Sequence, residues 1–224
     1  MLKPQSNIPV GRKVISYSHS KQKDILISSF NGTVSKSINL FGAVILENFD
    51  DFSIVGPIVG SPLAALIAET LFASGAQEIS IFGVCGALRP ALAEIKIGDV
   101  ILPTACISEE GTSPLYGLEK EIPFPDSSSQ SELQEKLPKS YQGKVWTTDA
   151  PFMESFEKAK HYSQLGAVGV EMELAGFLAA SSKHNKTLSA SYVVSDILDS
   201  DYQSGFKEKA FKNSLIELSK ILTS

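Results

Sequence analysis

Apolar and polar positions follow two rhythms along this chain, and the rhythms take turns. Runs of β-branched and aromatic residues predict strands at Asp24–Phe30, Ala43–Leu46, Phe52–Val55, Glu78–Val84, Asp99–Leu102, Lys144–Thr148 and Thr187–Val194. Helical spacing appears between them. Leu63, Leu66, Ile67 and Leu71 recur on one face, with Ser61 suited to the N-cap, Pro62 to the first helical position and Gly75 to the end. Glu171–Lys183 predicts a second helix with a stripe at Leu174, Phe177 and Leu178. A third begins near Ser204 and carries Phe206, Ala210, Phe211, Leu215, Leu218 and Leu222 on one side. Alternating strands and helices predict an α/β layered fold, and residues 1–224 read as a single domain with no obvious hinge.

One stretch breaks the rhythm. From Glu119 to Ser140, Pro, Ser, Glu and Lys dominate and apolar residues thin out. This polar surface excursion, 119–140, holds a short helix near Ser131–Leu137 and is long for a passive loop, which suggests a lid or an interface element.

Composition narrows the function classes. A net charge of −5 with no basic patch argues against a nucleic-acid partner. No apolar run approaches the roughly 20 residues needed to cross a bilayer, and Met1–Asn7 lacks the apolar core of a signal peptide, so a cytoplasmic protein with no membrane partner is expected. Cys85 and Cys106 sit in apolar strand-like segments and read as reduced, buried thiols. Of the 20 basic residues only Arg12 and Arg89 are arginines. Metal-ligand spacing, a nucleophile elbow, a dinucleotide fingerprint and a phosphate-loop motif are all absent, so no metal or organic cofactor is expected.

Candidate chemistry concentrates between Gly166 and Asp196. Glu171, Met172 and Glu173 stand at a helix entrance, and Asp196 follows the β-branched Val193-Val194. Breaking a sugar–base bond builds positive charge on the sugar and negative charge on the base. An acid whose pKa is lifted by burial can protonate the base, and Asp196 at a strand end fits that role, although it could equally cap a turn. Glu173 could accept both ribose hydroxyls in charge-assisted bonds, with Met172 under the ring; Glu171 fits better as a helix-entry acid held by the dipole. Phe152, on a loop past a strand, could stack on a flat base or belong to the core. Gly60-Ser61 and Cys85-Gly86 offer backbone N–H groups for a sugar, a base or an anion, and could as well be tight turns.

Taken in order, several segments resemble the nucleoside phosphorylase superfamily, which includes hexameric purine nucleoside phosphorylases, uridine phosphorylases and related nucleosidases. They are Gly56-Pro-Ile-Val-Gly-Ser-Pro62, Ile81-Phe-Gly-Val-Cys-Gly-Ala-Leu88, Gly98-Asp-Val-Ile-Leu-Pro103, Glu110-Gly-Thr-Ser113, Val170-Glu-Met-Glu-Leu-Ala-Gly176 and Val194-Ser-Asp196. The resemblance implies a single-domain three-layer α/β fold with a central mixed, barrel-like sheet flanked by helices. It implies a homodimer or hexamer in which a neighbour completes each site. It implies a small-molecule nucleoside substrate with inorganic phosphate as co-substrate, Asp196 as the acid, and Glu173 and Met172 at the ribose. Phe152, Val84, Cys85 and Gly86 would border the base, and Gly60 and Ser61 would be weak phosphate candidates. An acid at 196 and the loop Phe152-Met-Glu-Ser155, without the pair that reads uracil, favour a purine-like base. The chain departs from the family where phosphate should bind. No glycine-rich loop with an arginine is apparent in Met1–Asp51, and Ile81 and Val84 stand where an arginine and a hydroxyl residue are usual. Arg12, Lys36 or Arg89 would have to substitute. The alternatives to phosphorolysis are therefore hydrolysis and a non-catalytic nucleoside-binding protein.

Overall fold

The computed structural model describes residues 3–30, 33–42, 44–49 and 52–224. Five strands close into a barrel-like ring at its centre: β5 (Glu78–Leu88), β10 (Thr187–Leu198), β6 (Val100–Ser108), β8 (Tyr141–Thr147) and β9 (Ala167–Glu171). The ring is mixed. β5–β10, β6–β8 and β8–β9 run parallel, while β10–β6 and β5–β9 run antiparallel. β5 also continues an open sheet through β1 (Lys13–Tyr17), β4 (Phe52–Gly56), β3 (Val44–Asn48) and β2 (Lys36–Leu40). Among the described residues six α-helices pack around this sheet. They are α1 (Ser20–Ser29), α2 (Ser61–Ala73), α3 (Ser128–Lys136), α4 (Phe156–Gln164), α5 (Leu174–His184) and α6 (Lys209–Thr223). The layered, barrel-like α/β fold expected from the sequence is the fold found.

Several elements differ from the pattern reading. Asp24–Phe30 is not a strand: Asp24–Ser29 is the second half of α1, and Phe30 is its C-cap. Its Ile-Leu-Ile run suggests β structure, yet a capping box of His19 and Gln22 starts a helix, and packing of Leu26 against the C-terminal helix keeps it there. Tertiary context overrode propensity. The strand is Lys13–Tyr17, upstream. Ser61 is not the N-cap of α2; Gly60 is, at φ +85°, a left-handed backbone that glycine reaches at no steric cost. α6 begins at Lys209 rather than near Ser204, which lies in the short strand β11 (Gln203–Ser204). Ala43 of the expected strand 43–46 lies outside the described residues, while Val44–Asn48 is β3.

The polar excursion is anchored at two places. Its β7 (Glu121–Pro123) pairs with β6. Its helix α3 is tied to β10, where Ser127 Oγ donates to Leu188 O at 2.9 Å and Gln130 bonds both the N–H and the C=O of Ala190.

Candidate active site

Two strands run longer than their apolar patterns suggest, and this decides where the acid sits. β10 does not stop at Val194, so Asp196 lies within the strand, beside Gly86 of β5. The register shifts between Val194 and Asp196, making Ser195 the bulged residue. Bulges of this kind re-aim side chains at functional sites. Asp196 Oδ2 lies 2.9 Å from where a Cβ on Gly86 would stand, so residue 86 must stay bare for the carboxyl to lie there.

Asp196 is held by a neighbouring hydroxyl. Ser195 Oγ is 2.6 Å from Asp196 Oδ1 and 3.1 Å from Cys85 O. The hydroxyl has one proton for two acceptors. Ser195 Oγ is the donor in both contacts, so its proton is shared between Cys85 O and the Asp196 carboxyl. Burial raises the Asp196 pKa, against the hydroxyls of Ser195 and Tyr202, which lower it. Burial also pushes Glu154 up to about 7, helped by the charges of Asp196 and Glu109. Asp196 therefore has a carboxylate neighbour that the pattern reading passed over. The signal was available, since Glu154 belongs to the Phe152-Met-Glu-Ser loop, but an acid in a loop has no periodicity to mark it.

The other carboxylates meet at the entrance of α5. Glu171 is the helix-entry acid: its Oε2 accepts from Glu173 N at 2.9 Å, Leu174 N at 2.8 Å and Tyr192 Oη at 3.3 Å, and its Oε1 from Thr147 Oγ1 at 2.5 Å. Glu173 has turned away and accepts the Gly60 N–H at 2.7 Å. With four donors against one, negative charge settles on Glu171. Burial, then the Glu171 charge, pushes Glu173 up to about 8. Glu173 lines a slot of about 10 Å³ with Ser16, Ser18, Ile58, Ile81 and Phe177. That slot touches Gly83, three residues before Gly86 on β5. The Glu173 slot and Asp196 thus meet β5 three residues apart, about 10 Å of strand at ~3.3 Å per residue.

The remaining candidates divide. Met172 and Val84 are half-buried, while Cys85 is buried and free, offering only its backbone to a ligand. The donors of Gly60 and Ser61 are occupied: Gly60 N–H by Glu173, and Ser61 Oγ by Met172 O at 3.2 Å. Phe152 is fully exposed beside the 65%-exposed Met153. Arg89 faces Asp199 at 3.4 Å, and Lys36 and Arg12 are exposed on the open sheet. Ile81 belongs to the apolar core. Among the described residues no cluster of His, Cys, Asp and Glu could hold a metal ion, and no helix is long and apolar enough to cross a membrane.

The chain is similar to several known proteins. A guanosine phosphorylase of Halorubrum lacusprofundi is 28% identical over 137 residues, which cover 59% of this chain and 56% of that protein. A DeoD-type purine nucleoside phosphorylase of Brevibacillus brevis is 27% identical over 179 residues, covering 74% and 72%. The crystal structure of a 5'-methylthioadenosine/S-adenosyl homocysteine nucleosidase from Campylobacter jejuni superposes with a TM-score of 0.74 at 19% identity, covering 96% of this chain and 97% of that one. The family model described as the phosphorylase superfamily matches residues 40–224, and the chain belongs to that family.

Proposed function

We propose that this member of the phosphorylase superfamily cleaves the N-glycosidic bond of a purine-type nucleoside. Asp196 protonates the departing base, and Glu173 receives the ribose hydroxyls. The observation that carries the reading is the Ser195–Asp196 pair beside the bare Cα of Gly86. As the glycosidic electrons move onto the base, Asp196 gives up its proton. The Ser195 hydroxyl, which already donates to Asp196 Oδ1, stabilises the new carboxylate. Met172 and Val84 supply apolar walls, Cys85 and Gly86 supply backbone, and Phe152 stacks on the base.

Phe152, Met153 and the 87%-exposed Leu115 support assembly as a homodimer or higher oligomer, in which a second copy covers these side chains. Two unpaired, buried thiols support a reducing, cytoplasmic setting.

Either of two nucleophiles serves this chemistry. The relatives named phosphorylases support phosphate, with ribose 1-phosphate as the sugar product. The apolar Ile81 and Val84 favour water, because burying a phosphate dianion against them without partners is very costly. The test is base release from inosine, guanosine, adenosine, uridine and methylthioadenosine, with and without phosphate. Release from the purine nucleosides is expected, and silence with all of them would overturn the assignment.

A further inference from the structure

The helix of the polar excursion does not pack on the sheet as a helix usually does. α3 places Ser129, Glu132, Leu133 and Lys136 on one face, at the i, i+3, i+4, i+7 spacing of a single stripe. A helix packed on a sheet normally turns an apolar stripe toward it. Of these four side chains only Leu133 is apolar and buried. The stripe instead roofs a cavity of about 260 Å³.

The floor of the cavity is the open sheet where it meets the barrel. Lys13 of β1 is the register partner of Phe52 on β4 and of Glu78 on β5, and Ile15 is the partner of Ser80. Ser189 of β10 stands beside Ser80 in turn, and its Oγ donates to Ser80 Oγ at 2.8 Å. Register partners share a sheet face, so these side chains meet the cavity together. Phe30 and Phe52 close one side, stacked with ring centroids 3.8 Å apart. The cavity lies at the opening ends of β5 and β10. Gly86 is six residues beyond Ser80 on β5, about 20 Å at ~3.3 Å per residue, so this cavity is not the candidate active site.

Its charges are the informative part. Lys13 and Glu78 stand side by side on neighbouring strands, and Glu132 and Lys136 stand one turn apart on α3. Among the described residues none of the four makes an ion pair. Lys136 Nζ donates only to Ser224 Oγ, at 3.2 Å. Two ammonium groups and two carboxylates therefore face one space with an aromatic wall. A simple anion or cation would meet two groups of its own sign there. A small zwitterion meets both signs with complementary partners. The cavity has the room of about nine waters at ~30 Å³ each, which suits a ligand of roughly ten heavy atoms and is too small for a nucleotide.

We propose that this cavity is a second ligand site, and that it takes a free α-amino acid with a branched or aromatic apolar side chain. The ligand carboxylate bonds to the lysine ammonium groups and its ammonium to Glu78 and Glu132. Its side chain packs on Phe30 and Phe52. The site is independent of the nucleoside reading.

Calorimetric titration of the wild-type protein with L-phenylalanine and L-leucine tests this. At least one should bind with a Kd of about 0.1–1 mM, as expected of so few heavy atoms. The N-acetyl derivative of the bound amino acid lacks the cation, and its amide lacks the anion. Each should bind at least about tenfold more weakly. The Lys13→Met/Lys136→Met and Glu78→Gln/Glu132→Gln variants change exposed or half-buried side chains, so both should keep the wild-type melting temperature while losing about tenfold or more in affinity. No binding of either amino acid up to about 10 mM would overturn the proposal. A derivative that binds as well as its parent would overturn it equally, because one of the two charges would be idle. Folded variants that both bind like wild type would place the amino acid elsewhere and refute the site.

Discussion

The two ends of the candidate site raise carboxyl pKa values by the same means and use them differently. At the base end Asp196 is half-buried, shares one hydroxyl with Cys85 O, and faces a second raised carboxyl, Glu154. At the sugar end Glu173 is 7% exposed, pinned by Gly60 N–H, and set beside a slot that fits one water. The first end is open and electrostatically tense. The second is closed, and its geometry is fixed before substrate arrives. An open end tolerates a large, flat leaving group and gains from a neighbouring subunit.

Removing the proton donor is the most damaging way to disturb this contrast. Asp196→Asn keeps the shape and loses the acid, so kcat with purine nucleosides should fall by about 10²–10⁴-fold. Saturating turnover measured against a matched melting temperature checks it. Unchanged turnover would take Asp196 out of the mechanism.

At the closed end the expected loss is smaller and comes with a stability signature. Glu173→Gln should lower kcat/KM by about 10–10²-fold through weaker ribose binding. The folded-state pKa of Glu173 is raised to about 8 from an ordinary value near 4.5. Between those values the unfolded chain has already released this proton and the folded chain has not. The unfolded state binds fewer protons there, so stability falls as pH rises through that window and levels off above about 8. Glutamine has no such penalty. Thermal melts should therefore show the variant gaining on wild type from pH 5 to pH 8, by the order of a few kcal/mol, with a constant gap beyond. A gap that does not change with pH would mean that Glu173 is already ionised in the folded protein.

Glu154 sharpens the comparison from the open side. The charge of Asp196 opposes ionisation of Glu154, whose pKa stands at about 7. Asp196→Asn removes that charge and should lower the Glu154 pKa, read by carboxyl titration in NMR, by up to about one unit, or about 1.4 kcal/mol. An unmoved Glu154 pKa would separate the two carboxyls electrostatically.

The architecture was legible because its elements repeat or punctuate. The helix stripe at Leu174, Phe177 and Leu178 and the β-branched run before Ser195 carry periodicity that survives folding. Glu171 as helix-entry acid followed from the dipole alone, and its bonds to Glu173 N and Leu174 N agree. Non-local facts were not legible. Nothing near Asp24-Ile-Leu-Ile reveals that His19 and Gln22 cap a helix there. Nothing near Val194 reveals that β10 bulges at Ser195 and continues to Leu198. The donors of Gly60 and Ser61 read as free because their partners lie more than 100 residues away, at Met172 and Glu173.

Phe152 carries the smallest expected effect and tests what exposure means at the open end. A fully exposed side chain buries nothing within its own chain. Phe152→Ala should therefore leave monomer stability within about 0.5 kcal/mol of wild type. If the ring stacks on the base, the variant loses about 0.5–1.5 kcal/mol of that contact, and KM for purine nucleosides rises by roughly two- to tenfold with kcat nearly unchanged. If the ring serves subunit contact instead, KM holds and the oligomer weakens, which sedimentation across a dilution series reads directly. Neither change is available to a residue like Glu173, whose pKa and pose are set inside one chain. A KM shift without loss of assembly would therefore place base recognition on the exposed side of the site, and sugar recognition on the sealed one.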